Sequence, residues 1–167
     1  MEKIFLGIGG NLGDKRKNFH KVHLLINDKL GSILNRSSVY ETPPWGFHAE
    51  ENFWNQVLEI ESSLSPHDLL NRIQEIEKEF HRKRHSKKYT SREMDIDILY
   101  FDDIFLEKDD LIIPHPLLHQ RLFVLVPLAE IAPDFKHPLL RQTSRQLLEA
   151  CKDESIIKKV EGWNDLF

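Results

Sequence analysis

Apolar and polar positions alternate along this chain with two periods, one of two residues and one near 3.6, and the switches between them mark out its elements. Residues 4–8 form an apolar run read as a buried strand. Residues 9–14, Gly-Gly-Asn-Leu-Gly-Asp, predict a tight turn into a helix over about 15–30 that Asp14 caps. A second strand is predicted over 33–41. It runs into Thr42-Pro43-Pro44-Trp45-Gly46, where two prolines fix φ and remove two backbone donors, so the loop is stiff. Residues 53–60 alternate as a strand, with Phe53, Asn55 and Val57 on one face and Trp54, Gln56 and Leu58 on the other. Ser65-Pro66-His67-Asp68 opens a helix, with Ser65 as cap, Pro66 at the first position and Asp68 near the positive end of the dipole. Leu69, Ile73, Ile76 and Phe80 form its buried stripe, and Gln74, Glu77 and His81 run along one edge. A strand over 95–101, an acidic turn at Asp102 and Asp103, and a strand near 111–113 predict a hairpin. The order is β-α-β-β-α-β with an extra hairpin strand and a C-terminal helical part. It predicts an α+β fold of the ferredoxin-like kind, with helices on one face of a mainly antiparallel sheet.

Residues 92–99, Arg-Glu-Met-Asp-Ile-Asp-Ile-Leu, set two acids on alternating positions of an otherwise apolar strand. Asp95 and Asp97 therefore share one face, roughly 7 Å apart at Cα, while Ile96 and Ile98 fill the other. Two carboxylates about 5 Å apart repel by roughly 3 kcal/mol at an effective dielectric near 20, so a cation between them is expected. Magnesium suits the pair, being a hard ion that takes a few carboxylates plus substrate phosphates. A half-exposed antiparallel sheet shows the same alternation as a merely solvated face. The preceding segment favours the metal: Arg82, Lys83, Arg84, Lys87, Lys88 and Arg92 place six positive charges in eleven residues of a chain whose net charge is -4. A polyanion held between cationic side chains and carboxylate-bound metal accounts for both features. With almost nothing apolar to bury, the basic segment is expected to act as a lid over bound phosphates.

Composition changes this picture little. The 167 residues are 40% hydrophobic and 30% charged, which suits one folded domain over 1–167 and gives no general affinity for nucleic acid. The single cysteine, Cys151, forms no internal disulfide, and neither a signal-peptide core nor a membrane span is legible. The expectation is a cytoplasmic monomer acting on small molecules, without nucleic-acid or membrane partners. Glycines at 7, 9, 10 and 13 miss the G-x-G-x-x-G spacing, and there is no P-loop. His115 and His119 lack the further ligands of a zinc site, so His115 and Arg121 read as phosphate donors joining the basic loop. A D-x-D nucleotidyl or glycosyl transferase and an RNA-binding sheet of similar topology are the competing classes. The second needs several aromatics on one face, whereas Phe53 and Trp54 point oppositely.

Five segments in order carry a family resemblance: Gly9-Gly10-Asn11-Leu12-Gly13, Thr42-Pro43-Pro44-Trp45-Gly46, Phe53-Trp54-Asn55, residues 92–99, and Pro114-His115-Pro116 on to Arg121-Leu122-Phe123-Val124-Leu125. With them the chain resembles the 6-hydroxymethyl-7,8-dihydropterin pyrophosphokinases of folate biosynthesis over nearly all its length. The resemblance implies a ferredoxin-like fold and transfer of diphosphate from ATP, the co-substrate, to the pterin hydroxymethyl oxygen, releasing AMP. It implies two magnesium ions held by Asp95 and Asp97, and catalytic roles for Arg82, Arg92, Asp95 and Asp97. A pterin would lie between Phe123 and Phe53, with Asn55 and the backbone around Thr42, Pro43, Pro44 and Trp45 on its amide edge. Arg82, Arg84, Arg92, His115 and Arg121 would meet the triphosphate, with Gln74, Glu77, Tyr89 and Ile98 also on the nucleotide side. Phe53 stands where members often have tyrosine, Tyr89 where they have tryptophan, and Thr90 where glycine is common. With the sequence ending at Phe167, none of the folate enzymes sometimes fused to this family is expected.

Overall fold

Strand β1 (Glu2–Gly10) is the middle of the architecture, antiparallel to a partner on each side. The computed structural model describes residues 1–45, 51–80 and 92–162. Gly46, His81, Arg82, Lys83, Arg84, Lys87, Lys88, Tyr89 and Thr90, with the lid expected of the basic segment, lie outside the described residues. Gly9 and Gly10, expected in a turn, instead continue β1, and the turn falls at Gly13, whose φ is +74°. A Cβ at Gly10 would overlap the Glu93 carbonyl, so this glycine serves the close approach of another segment to a strand end.

Both main helices start where the sequence places them. Helix α1 (Lys15–Lys29) begins at Asp14, whose Oδ1 accepts from the Lys17 N–H at 3.2 Å. Helix α2 (Pro66–Lys78) begins at Ser65, whose Oγ accepts from Asp68 at 3.2 Å. The strand expected over 33–41 is two strands, β2 (Ser32–Arg36) and β3 (Tyr40–Thr42), both against β4 (Phe53–Ser62). Between them the Ser37 N–H still bonds the Val57 carbonyl, and the Ser37 Oγ accepts from the Val57 N–H. Ser38 turns instead to the Glu130 carboxylate, bonded through both its N–H and its hydroxyl.

With β5 (Asp95–Phe101) the sheet runs β5-β1-β4-β3, β2 pairing β4 beside β3, and β8 (Lys158–Lys159) closing the β3 edge. All these pairings are antiparallel, as the ferredoxin-like order predicts. The predicted hairpin between 95–101 and 111–113 does not form. Asp102, with φ 48°, turns the chain back onto Lys3, and β6 (Leu106–Glu107) pairs with β7 (Ile112–Ile113) in a separate small sheet.

The sheet is covered on two faces rather than one. Ile4, Leu6, Ile8, Leu58, Ile96 and Ile98 point toward α1 and α2, making a core with Phe19, Ile26, Leu69 and Ile73. Phe5, Val57, Leu99 and Tyr100 point the other way, against α3 (Leu122–Ile131) and α4 (Ser144–Ala150), and form a second core. This second layer covers only part of its face. The uncovered part is the site.

Candidate active site

Strand register assembles the site in two rows across the sheet. Asp95, Gly9 and Asn55 lie side by side on β5, β1 and β4, and Asp97, Gly7 and Val57 make the adjacent row. Directly opposed residues share a face, so both aspartates and Asn55 stand on the face that α3 leaves open. The central strand contributes no side chain to either row, so bare backbone separates the carboxylates from the amide. A Cβ at Gly9 would sit 2.5 Å from the Asn55 Oδ1, whereas one at Gly7 meets only Leu99, at 3.5 Å.

Around this floor lies a cleft with about 600 Å³ of empty space open to solvent. The expected residues Thr42, Pro43, Trp45, Phe53, Asn55, Arg92, Asp95, Asp97, Arg121 and Phe123 all line it. Pro44 does not. Asn55 is oriented by its Nδ2, which donates to the Thr42 Oγ1 at 2.8 Å. Across the cleft the Arg121 guanidinium lies 4.9 Å from the Trp45 ring centre and 5.3 Å from that of Phe123. Arg121 is 1% exposed, and burial lowers its pKa to about 10, so it stays charged while held against flat apolar rings.

Arg92 donates to the Asp95 Oδ2 at 3.0 Å and sits 5.5 Å from the Phe53 ring centre, linking the carboxylates to the aromatic slot. Its backbone is fixed by Asn11, which is fully buried. The Asn11 Oδ1 accepts from the Arg92 N–H at 2.9 Å, its Nδ2 donates to the Glu51 carbonyl, and its own N–H and that of Leu12 donate to the Arg92 carbonyl.

Four residues expected on the nucleotide side fall outside the cleft lining. Glu77 is 2% exposed and its Oε2 accepts from the Ile96 N–H at 3.0 Å, so it supports β5 from beneath. The Ile98 side chain belongs to the core on the helical face; two residues on from the Ile96 N–H that bonds Glu77, its main chain faces the side of β5 away from β1. Gln74 is half-buried on α2. His115 docks on β5, donating its N–H to the Leu99 carbonyl at 3.1 Å. Burial lowers its pKa while Asp95 raises it, and its Nδ1 accepts from Leu117, which leaves the proton of the neutral ring on Nε2. Gly7, Gly9 and Asn11 are the positions sequence reasoning missed. The available signal was that Gly7 and Gly9 alternate within a strand, the spacing of Asp95 and Asp97.

Comparison with known proteins agrees with this geometry. Residues 5–133 match the family described as 7,8-dihydro-6-hydroxymethylpterin-pyrophosphokinase. A 2-amino-4-hydroxy-6-hydroxymethyldihydropteridine pyrophosphokinase of Aquifex aeolicus is 38% identical over 158 residues, 95% of each chain. The folic acid synthesis protein FOL1 of Dictyostelium discoideum is 38% identical over 144 residues, covering 86% of this chain but 22% of that protein. Among solved structures, wild-type HPPK-DHPS of Plasmodium falciparum with pteroate superposes with a TM-score of 0.72 at 18% identity, over 89% of this chain and 44% of that one, a likeness of fold. The sheet order, the paired aspartates and the match over most of the length converge, and the chain belongs to the hydroxymethyldihydropterin pyrophosphokinase family, whose members transfer pyrophosphate from ATP in folate biosynthesis.

Proposed function

We propose that the bare strip between the aspartates and Asn55 is where the triphosphate of ATP and the hydroxymethyl group of the pterin meet, and that AMP leaves after diphosphate transfer. The observation that carries this is the pair of rows Asp95–Gly9–Asn55 and Asp97–Gly7–Val57, which puts two carboxylates and an amide on one face with no side chain between them. Asp95 and Asp97 fit a pair of magnesium ions. They are hard oxygen donors on the cleft wall, and among the described residues no cluster of three His, Cys, Asp or Glu completes a protein cage, which suits ions that complete their shells with water and phosphate. Magnesium held there would neutralise phosphate charge and lower the pKa of the attacking hydroxyl.

The chain's own residues then position and screen. Arg92 balances Asp95 and faces the transferring group, with Arg82 and Arg84 joining it from the basic segment. Arg121 and the His115 Nε2–H add positive charge and a donor at the margins. Phe53, Phe123 and Trp45 form the walls of the pterin slot and exclude water, and Asn55, held by Thr42, supplies directional hydrogen bonds. The Ile98 main chain bonds the base of the nucleotide in this reading, with Tyr89 and Gln74 assigned to the same ligand. The enzyme acts as a cytoplasmic monomer in this reading, with ATP and reduced pterin as its only partners; no helix among the described residues is long and apolar enough to cross a membrane. Chromatography of a reaction of protein, ATP, magnesium and hydroxymethyldihydropterin tests it. AMP formed one-for-one with pterin diphosphate is expected, and ADP as the main nucleotide product sinks the proposal.

A further inference from the structure

Helix α3 is apolar almost all round. Its sequence, Leu-Phe-Val-Leu-Val-Pro-Leu-Ala-Glu-Ile, holds a single polar side chain, that of Glu130. Apolar burial is non-directional, and a helix without a stripe has no face that packing alone prefers, so something else must set its rotation about its own axis. That rotation decides where Phe123 points. Phe123 stands seven residues before Glu130, hence on the same side of the helix and roughly 10 Å along its axis. Pro127, between them, has no N–H to give the Phe123 carbonyl, so the turn that carries Phe123 is short of one helical bond.

The Glu130 carboxylate grips the start of β3. Its Oε1 accepts from the Tyr40 hydroxyl at 2.6 Å, and its Oε2 accepts from the Ser38 N–H and the Ser38 hydroxyl, each at 2.9 Å. Donors two residues apart along the chain, meeting the two oxygens of one planar group, fix an angle as well as a distance. Burial and the adjoining carboxylate push the Tyr40 phenol up, so it stays protonated and keeps donating. The strand held in this way belongs to the slot. Tyr40 pairs with Asn55 and Thr42 with Phe53, and directly opposed residues share a face, so the anchor of Glu130 stands beside the amide and the ring assigned to the pterin. One carboxylate therefore relates Phe123 on α3 to Asn55 and Phe53 on β4, with β3 as the link.

We propose that Glu130 is a positioning residue that sets the rotation of α3, and with it the aim of the Phe123 ring at the Phe53–Asn55 side of the slot. This rests on the reading of that slot as the pterin site. A flat bicyclic ligand gains from an aromatic wall only when the face of that wall is turned toward it.

The test is a double-mutant cycle of Glu130→Ala and Tyr40→Phe, the latter keeping a ring but losing the hydroxyl donor, with the melting temperature and the separate KM values for pterin and ATP measured in each protein. Glu130→Ala is expected to raise the pterin KM about tenfold, the scale of one misaligned stacking contact, with the ATP KM moved less than about twofold. Tyr40→Phe should raise the pterin KM about threefold, again with little change for ATP. The double variant should be no worse than Glu130→Ala alone, because both changes cut the same bond. A lowered melting temperature with both KM values unchanged or raised equally, or losses that multiply, would make Glu130 a tie for stability only and overturn the proposal. Phe123→Ala separates the two failures. If it leaves the pterin KM unchanged, the slot assignment itself is wrong; if it raises the pterin KM while Glu130→Ala does not, only the role of Glu130 falls. Should Glu130→Ala fail to fold, Tyr40→Phe leaves the Ser38 bonds in place and carries the test, since an unchanged pterin KM in that variant overturns the proposal.

Discussion

Gly7 and Gly9 bear on the chemistry through what they lack. Adding a methyl at Gly7 makes only an ordinary contact with Leu99, so Gly7→Ala should fold normally while placing carbon on the floor between Asp97 and the pterin side. Its melting temperature should be near wild type with turnover clearly reduced; unchanged turnover would mean that substrates do not lie over that row. Gly9→Ala is a harsher change, because its methyl collides with the Asn55 Oδ1. Turning Asn55 aside should weaken pterin binding by roughly 1 to 3 kcal/mol with little effect on ATP, as calorimetry would show. Asp97→Ala should slow single turnover by about a hundredfold or more, the scale of one lost preorganised electrostatic group, without lowering thermal stability. A near-normal rate at saturating magnesium would remove Asp97 from the metal site. The aspartates were legible in the sequence because acids on an apolar strand need a reason. The glycines were not, because glycine near a strand end reads equally well as a turn, and only the register with Asp95, Asp97 and Asn55 shows what their missing side chains make room for.

At the level of elements, Glu77 makes a helix support a strand. Removing its carboxylate in Glu77→Ala leaves the buried Ile96 N–H without its acceptor, a loss of about 1 to 3 kcal/mol in chemical denaturation, with the nucleotide KM unchanged. A raised KM at unchanged stability would restore Glu77 to the nucleotide side. His23, buried on α1, donates from Nε2 to the Gln56 Oε1 at 2.7 Å, and Gln56 in turn donates to the Ser37 carbonyl, joining α1 to β4 and to the break between β2 and β3. Burial lowers the His23 pKa to about 4 from 6.5. The folded state therefore resists the proton that the unfolded chain accepts. Stability is fully present above pH 6.5, falls by about 1.4 kcal/mol per unit as the pH drops toward 4, and levels off below that. His23→Gln should flatten the slope in acid denaturation. The starts of α1 and α2 and the facing of β4 and β5 could be read from the sequence because capping residues and period-two alternation are local signals. The split of 33–41 could not, since Ser37 keeps its bonds to Val57 while Ser38 leaves for Glu130, a partner 92 residues away. Nor could the face that α3 packs against, because nearly all its residues are apolar and give no amphipathic stripe.

Across the whole molecule, Asn11 joins the end of β1 to residues 51 and 92, the second of which lines the cleft. Asn11→Ala should therefore reduce turnover by roughly tenfold to a hundredfold through misplacement of Arg92, while both substrates still bind. Equal loss of binding and rate would assign Asn11 to general stability. The ferredoxin-like order was legible because the alternation of helix and strand fixes it, whereas the second core was hidden in a C-terminal stretch that packs on strand residues far away in sequence, Phe5, Val57 and Leu99 among them. That second core ends where the cleft begins. Val57, Leu99 and Val124 belong to its packed residues and also line the cleft, so a ligand that filled the cleft would come to rest against the packed interior. The reach of a substrate would then be measured against the core itself. Shortening Leu99 or Val57 should lengthen the slot and let the enzyme accept pterins with a bulkier ring substituent, so that selectivity is adjusted from inside the fold rather than from the loops around its mouth.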